Sequence, residues 1–137
     1  MPHLVDSTVW SKARTHPALA QWFNAQVRGD LVLICDVIVL ELLRSARNAG
    51  AFKQQAELLA SLSSLPIGSN EWDRARQIQG LLARRGEHRG VPPADLVIAA
   101  TAELAQVPLL HYDHDFDLVS AVTRQPSRWL LPRGSIP

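Results

Sequence analysis

Cysteine is almost missing from this chain of 137 residues: Cys35 stands alone. One thiol cannot close an internal disulfide, and its place at the end of the apolar run 31–35 fits a reducing compartment. Lysine is scarce as well. Only Lys12 and Lys53 occur among the 14 basic residues, and the others are arginines. A net charge of +1 excludes a polycation that holds nucleic acid by bulk charge. No apolar run approaches the roughly 20 residues that span a bilayer; residues 31–34 and 96–102 are among the longest. The opening Met1-Pro2-His3-Leu4 reaches Asp6 without the basic and then apolar stretches of a secretory signal. These absences lead us to expect a soluble cytoplasmic protein with no membrane attachment. Its length is near the commonest domain size, and a hydrophobic content of 47% supports one core, so a single domain over residues 1–137 is expected.

Several chemistries are also excluded by what is not written. There is no Cys-x-x-Cys and no His-Glu-x-x-His, so zinc has little support. No glycine-rich phosphate loop and no Gly-x-Ser-x-Gly elbow is present. Asp6-Ser7-Thr8 lacks the second aspartate that a haloacid dehalogenase phosphatase carries two residues after its nucleophile.

What is present is an alternation of short apolar strands with amphipathic helices. Strands are expected at Leu4-Val5, 31–35, 107–110 and 128–131, with an edge or strand start at 64–67, where Pro66 limits pairing. Helices are expected at 18–27, 37–47, 51–62, 71–85, 93–105 and 115–122. Asp6-Ser7-Thr8 and Asp36 read as helix caps, Ser69 or Asn70 as the cap of the long helix, and Asn48-Ala49-Gly50 as a helix end. Pro92-Pro93 opens its helix where proline is tolerated. Alternation of this kind favours a parallel sheet covered on both faces, with ligands beyond the carboxyl ends of the strands where strand order reverses.

Acids stand at those ends. Asp6 follows the first strand, Asp113 and Asp115 follow the strand 107–110, and Asp95 lies in the first turn of the helix after Pro93. Glu41 is surrounded by apolar sequence on every side. A buried carboxylate needs a partner, a proton or a metal. Taken singly, Asp6 also reads as a cap, Asp95 as a first-turn acid, Glu41 as a partner for Arg44, and Asp113 and Asp115 as loop acids. Taken together they converge on one end of one sheet. Two carboxylates 4 Å apart repel by roughly 4 kcal/mol at an effective dielectric near 20. A hard cation such as Mg²⁺ or Mn²⁺ removes that repulsion. His111 and His114 flank these acids and read as loop histidines. Five arginines, Arg74, Arg76, Arg84, Arg85 and Arg89, crowd one segment with His88. They read either as a solvated helix face or as a phosphate grip, with Gly86 and Gly90 supplying flexibility.

Four blocks carry a family resemblance. They are Leu4-Val5-Asp6-Ser7-Thr8-Val9-Trp10, Leu40-Glu41-Leu42-Leu43-Arg44-Ser45-Ala46, residues 88–102 around Pro92-Pro93-Ala94-Asp95, and Leu110-His111-Tyr112-Asp113-His114-Asp115-Phe116. In this order, across nearly the whole chain, they resemble the PIN-domain nucleases of the VapC toxin family. The resemblance implies a three-layer α/β/α sandwich with a mostly parallel sheet, and a type II toxin that cleaves RNA with Mg²⁺ or Mn²⁺. Asp6 and Asp95 match the main metal ligands, Glu41 and Asp113 the other acidic members, and Asp115 a further one. The family often opens Asp-Thr-Ser where this chain has Asp6-Ser7-Thr8, so the supporting hydroxyl falls to Thr8. Arg44 and Thr101 are candidates for support behind the ligands, or else a neutraliser of Glu41 and ordinary helix packing. Arg84, Arg85 and Arg89 are the candidates for holding RNA. The resemblance further implies a homodimer or larger toxin–antitoxin assembly, and an antitoxin whose C-terminal segment crosses the acidic groove. The helices 18–27 and 51–62, with Trp22, Phe23 and Phe52, are candidates for the groove or dimer surface. A housekeeping RNA-processing nuclease and a catalytically silent RNA- or protein-binding PIN module stay open as alternatives; the silent module would lack one or more acids, and none is missing.

Overall fold

The computed structural model describes residues 1–136. Five strands form one parallel sheet: β1 (His3–Val5), β2 (Val32–Ile34), β3 (Ser63–Ser64), β4 (Leu109–His111) and β5 (Ser127–Trp129), in the order β3-β2-β1-β4-β5. β1 lies at the centre, Leu4 paired with Leu33 on one side and Leu109 on the other. Both faces of β1 are covered, which is why Leu4 and Val5 are apolar in succession rather than alternating.

Seven helices connect the strands: α1 (Ser7–Thr15), α2 (Pro17–Arg28), α3 (Asp36–Leu43), α4 (Ala49–Ala60), α5 (Ser69–Ala83), α6 (Pro93–Ala105) and α7 (Asp115–Thr123). Right-handed crossovers put α1–α4 on one face and α5–α7 on the other. The contacts agree: α1 packs on α2 and α3, α3 on α4, and α5, α6 and α7 on one another. This is the expected α/β/α sandwich. α6 is its most buried helix, with every residue from Asp95 to Ala102 inside. No helix is long and apolar enough to cross a membrane.

Several boundaries move for identifiable reasons. Asp36 is the first residue of α3 rather than its cap; Cys35 holds the extended capping position. α3 stops at Leu43, short of the expected Arg47. Asn48 opens the next helix rather than closing the last, its Oδ1 accepting from the Ala51 amide at 2.8 Å. Gly68, not Ser69 or Asn70, precedes α5, and its amide donates to Glu71 Oε1 at 2.7 Å. β4 begins after Pro108, which has no N–H to donate, and runs on to His111, so that histidine belongs to a strand and not to a loop. β3 is confined to Ser63–Ser64, with Leu65 adding one more bond to Ile34 before Pro66. β5 starts and ends earlier than expected, and the Leu130 amide continues its pairing by donating to His111.

Candidate active site

The chain leaves β1 for β2 on one side while β4 arrives on the other, so strand order reverses beside the carboxyl end of β1. Ligands of open α/β sheets bind at such a point. Asp6 stands there as the N-cap of α1 and is only 2% exposed. Its Oδ2 accepts from the Thr8 hydroxyl at 2.6 Å and from the Thr8 amide at 3.1 Å. Thr8 Oγ1 in turn accepts from the Tyr112 amide at 2.9 Å. One hydroxyl therefore ties the acid after β1 to the loop after β4. Asp6 Oδ1 is buried without a hydrogen-bond partner among the described residues. Such an orphan acceptor costs about 1–3 kcal/mol unless something outside the chain satisfies it.

Asp95 arrives from the opposite layer, in the first turn of α6, and Asp115 is the first residue of α7. Both positions place a carboxylate against the positive end of a helix. Asp113 lies in the turn before α7, its Oδ1 accepting from the Asp115 amide at 2.9 Å. One oxygen from each of Asp95, Asp113 and Asp115 falls within 4.8 Å of the others. Asp6 is not in this compact triple, but it is electrostatically coupled to Asp95, Asp113 and Glu41. Glu41, half-buried on α3, accepts from the Ser7 hydroxyl at 3.3 Å.

No ion pair joins any of these five acids to a lysine or arginine among the described residues. The cost appears in their proton affinities. Burial first, then the charges of Asp6, Asp113, Glu41 and Asp115, push the Asp95 carboxyl up to about 8. Burial likewise raises Asp6 against the opposing Thr8 hydrogen bonds, and raises Glu41 and Asp115. Oxygen donors in no ion pair with an arginine among the described residues, one buried lone pair unsatisfied, and mutual repulsion together fit a hard divalent cation.

The remaining candidates fall at different distances from this centre. Arg44 is exposed and only moderates Glu41 through its charge. Thr101 is buried within α6 and donates to its own helix at Val97 O, 2.7 Å away, so its visible contact is helix packing. Arg84, Arg85 and Arg89 are exposed in the segment that leads into α6 and Asp95, with Arg85 paired to Glu87 at 2.8 Å. His111, fully buried, stacks obliquely on Phe116 and Trp129 and accepts from the Asp113 amide at 3.2 Å, steadying the acid loop from beneath. Its burial lowers its pKa, which keeps the ring neutral. The sequence signal for that role is its single-residue place at the end of an apolar strand, which resembles a loop start.

The PIN domain family model matches residues 3–122. Ribonuclease VapC18 of Mycobacterium tuberculosis is 40% identical over 99% of this chain and all of its own length. The chain belongs to the VapC family of PIN domains. Ribonuclease VapC51 of the same organism is 35% identical over 99% of this chain and 98% of its own length. The VapC fold recurs in VapBC2 from Rickettsia felis, solved bound to promoter DNA, with a TM-score of 0.75 over 96% of this chain and 100% of that one. It recurs again in DNA-bound VapBC from Salmonella typhimurium, with a TM-score of 0.71 over 94% and 98%. Those two are only 11% and 17% identical, so they speak for the fold alone.

Proposed function

We propose that this VapC protein is an endoribonuclease toxin of a type II toxin–antitoxin system, hydrolysing RNA phosphodiester bonds with Mg²⁺, for which Mn²⁺ can substitute. The observation that carries the reading is the unpaired carboxylate cluster Asp95, Asp113 and Asp115 beside buried Asp6 at the reversal of strand order. The names of the curated VapC relatives support the ribonuclease activity.

Asp95, Asp113 and Asp115 would hold the cation, with Asp6 and Glu41 completing the acidic site beside them. When bound, the cation lowers the pKa of a water and stabilises charge developing on the phosphate. The chain's own part is positioning. Thr8 fixes Asp6 Oδ2, and Oδ1 has no hydrogen-bond partner among the described residues. The Asp115 amide fixes Asp113. Helix N-termini at α1, α6 and α7 offset part of the negative field and favour an approaching phosphate. In-line attack by water leaves a 3′-hydroxyl and a 5′-phosphate. Arg84, Arg85 and Arg89 lie in the segment before Asp95, where guanidinium groups can meet the backbone phosphates on either side of the scissile bond.

The cognate antitoxin is the proposed protein partner, by analogy with the VapBC complexes in which this fold recurs. A groove of about 520 Å³ between α1, α2 and α4, with Trp10, Phe23 and Leu58 on its walls, offers an apolar seat for an antitoxin segment. Exposed Leu40 and Trp72 are apolar surface that a second copy of the chain would cover in a homodimer.

The test is cleavage of end-labelled total RNA with Mg²⁺ or Mn²⁺, beside EDTA and an Asp6→Ala control. Discrete metal-dependent fragments bearing 5′-phosphate, lost with Asp6→Ala, are expected. Cleavage that survives EDTA or leaves cyclic phosphates would overturn the carboxylate–metal mechanism.

A further inference from the structure

Beyond β5 the chain turns back to the acid loop. The Ser135 amide donates to Pro132 O at 3.0 Å, which closes a turn with Arg133 and Gly134 at its tip. Gly134 has φ +78°, a conformation that the third position of such a turn uses and that glycine takes without strain. The turn is anchored on one side chain. The Tyr112 hydroxyl donates to Ile136 O and accepts from the Ile136 amide, both at 3.1 Å. Tyr112 is itself firmly seated. Its amide donates to Thr8 Oγ1, the Trp129 ring packs edge-on against it with centroids 5.3 Å apart, and Lys12 Nζ lies 5.2 Å from its ring centre. Trp129 is fixed in turn, its indole donating to Asp117 Oδ1 at 3.0 Å.

This anchorage sets Arg133 beside the acid loop. Its Nη1 donates to His114 Nδ1 at 3.2 Å, and His114 stands between Asp113 and Asp115. Arg133 is exposed, and it forms no ion pair with any acid among the described residues. One bond to a ring nitrogen leaves most of the five N–H donors of a guanidinium open to another acceptor. Core packing does not account for the turn. Pro132, Arg133, Gly134 and Ser135 are all exposed, while fixing a backbone costs about 1–2 kcal/mol per residue. An RNA strand brings phosphates on both sides of the scissile bond to the neighbourhood of the acids. A guanidinium held at the edge of the acid loop, and not neutralised by it, meets such a phosphate with planar, two-pronged geometry.

We propose that Arg133 is a substrate-binding residue, which holds a backbone phosphate of the RNA next to the scissile one, and that Tyr112 is the positioning residue that keeps its turn in place. The proposal rests on the ribonuclease reading for its substrate. It adds to Arg84, Arg85 and Arg89, which come from the segment before α6, a contact from the far end of the chain. The turn supplies the direction of the guanidinium, and the phenol supplies its fixity.

The experiment is binding of a short, fluorescein-labelled single-stranded RNA of mixed sequence to the full chain in EDTA, read by anisotropy over a series of salt concentrations. Arg133→Ala is expected to weaken binding about tenfold and to lower the slope of log affinity against log salt by about one unit. Its Tm should equal the parent's, as for other exposed positions. Arg133→Lys should keep the slope and recover part of the affinity. Tyr112→Phe keeps every charge but frees the turn, and should weaken binding roughly two- to tenfold. Unchanged affinity and slope in Arg133→Ala would overturn the proposal, as would the absence of saturable binding by the parent at low salt. A loss in Arg133→Ala that Tyr112→Phe does not share would also overturn it, since an arginine that needs no anchor acts by bulk charge alone. Binding is read without cleavage, so a failed contact leaves the nuclease reading standing, and failure of that reading shows in the Asp6→Ala control instead.

Discussion

Two charged regions of this molecule obey opposite rules. Along α5 and the segment after it, arginines meet acids: Arg74 binds Glu103 through both guanidinium and carboxylate, Arg76 pairs with Asp73, and Arg85 with Glu87. At the carboxyl end of the sheet five acids gather and no lysine or arginine pairs with any of them among the described residues. The chain has arginines to spare, so the second arrangement is not a shortage of cations. Unpaired acids cost folding free energy. They are tolerated where function takes up the free valence, whereas paired charges on an exposed helix stay close to neutral in energy.

The contrast breaks most visibly at the acids. Asp95→Asn should lower cleavage about a thousandfold or more, since it deletes a ligand of the proposed cation while leaving α6 its first turn. The same variant should be more stable than the parent in EDTA at pH 8, because it removes one of the repelling charges. A protein whose Tm falls with Asp95→Asn in EDTA would place that carboxylate among ordinary structural acids.

Thermal unfolding against pH sharpens the point. The Asp95 carboxyl is held up to about 8 in the fold, against an ordinary value of 3.8. Across that window the folded state keeps a proton that the unfolded chain has lost. Stability without metal is therefore expected to decline as pH rises from about 4 toward 8, the reverse of an acid stabilised by a partner. Added Mg²⁺ or Mn²⁺ binds the deprotonated form and should flatten the decline, with the largest rise in Tm at the alkaline end. A pH profile identical with and without divalent cation would remove the cation from the site.

Thr8→Val comes next in size. It keeps the shape and removes the hydroxyl that binds Asp6 Oδ2 and receives the Tyr112 amide. A loss of about ten- to a hundredfold in activity or cation affinity is expected, with Thr8→Ser restoring most of it. Equal activity of the valine and serine variants would show that the hydroxyl has no part in positioning Asp6.

Much of this was legible from the residues alone, for a physical reason. Fully buried strands must be apolar on both faces, so β1, β2 and β4 stand out as short hydrophobic runs, and an acid directly after such a run marks a strand end. Asp6 and Asp113 are candidates on this ground, whereas Asp95 is one by its place in the first turn of the helix that Pro93 opens. What stayed hidden depends on partners far apart in sequence. Asn48 looks like a helix end because the residues before it, Ala46 and Arg47, favour a helix, yet α3 ends at Leu43 and Asn48 caps α4. Thr101 sits close behind Asp95 in sequence, yet its hydroxyl is satisfied within its own helix. His111 is one residue beyond a recognisable apolar run, and only β5 and α7 packed against it make it core. The arginine segment showed its composition but not which guanidinium groups are already engaged.

That last distinction yields the smallest effects and the finest test of the contrast. Arg74 and Arg89 belong to one cluster in sequence but to different classes in the fold: Arg74 is three-quarters buried against Glu103, while Arg89 is exposed in the loop before Asp95. Arg74→Ala should cost roughly 1–2 kcal/mol of stability, because it leaves Glu103 partly buried and unpaired, and should leave KM for RNA unchanged. Arg89→Ala should leave Tm unchanged, raise KM a fewfold, and reduce the slope of log affinity against log salt by about one unit. Arg84→Ala should resemble Arg89→Ala, and Arg85→Ala should do so less fully, since Glu87 already holds that guanidinium. If Arg74 proved to matter for RNA and Arg89 for stability, pairing within the fold would be no guide to which charges face the substrate. The acid end of the sheet would then lose its main internal control.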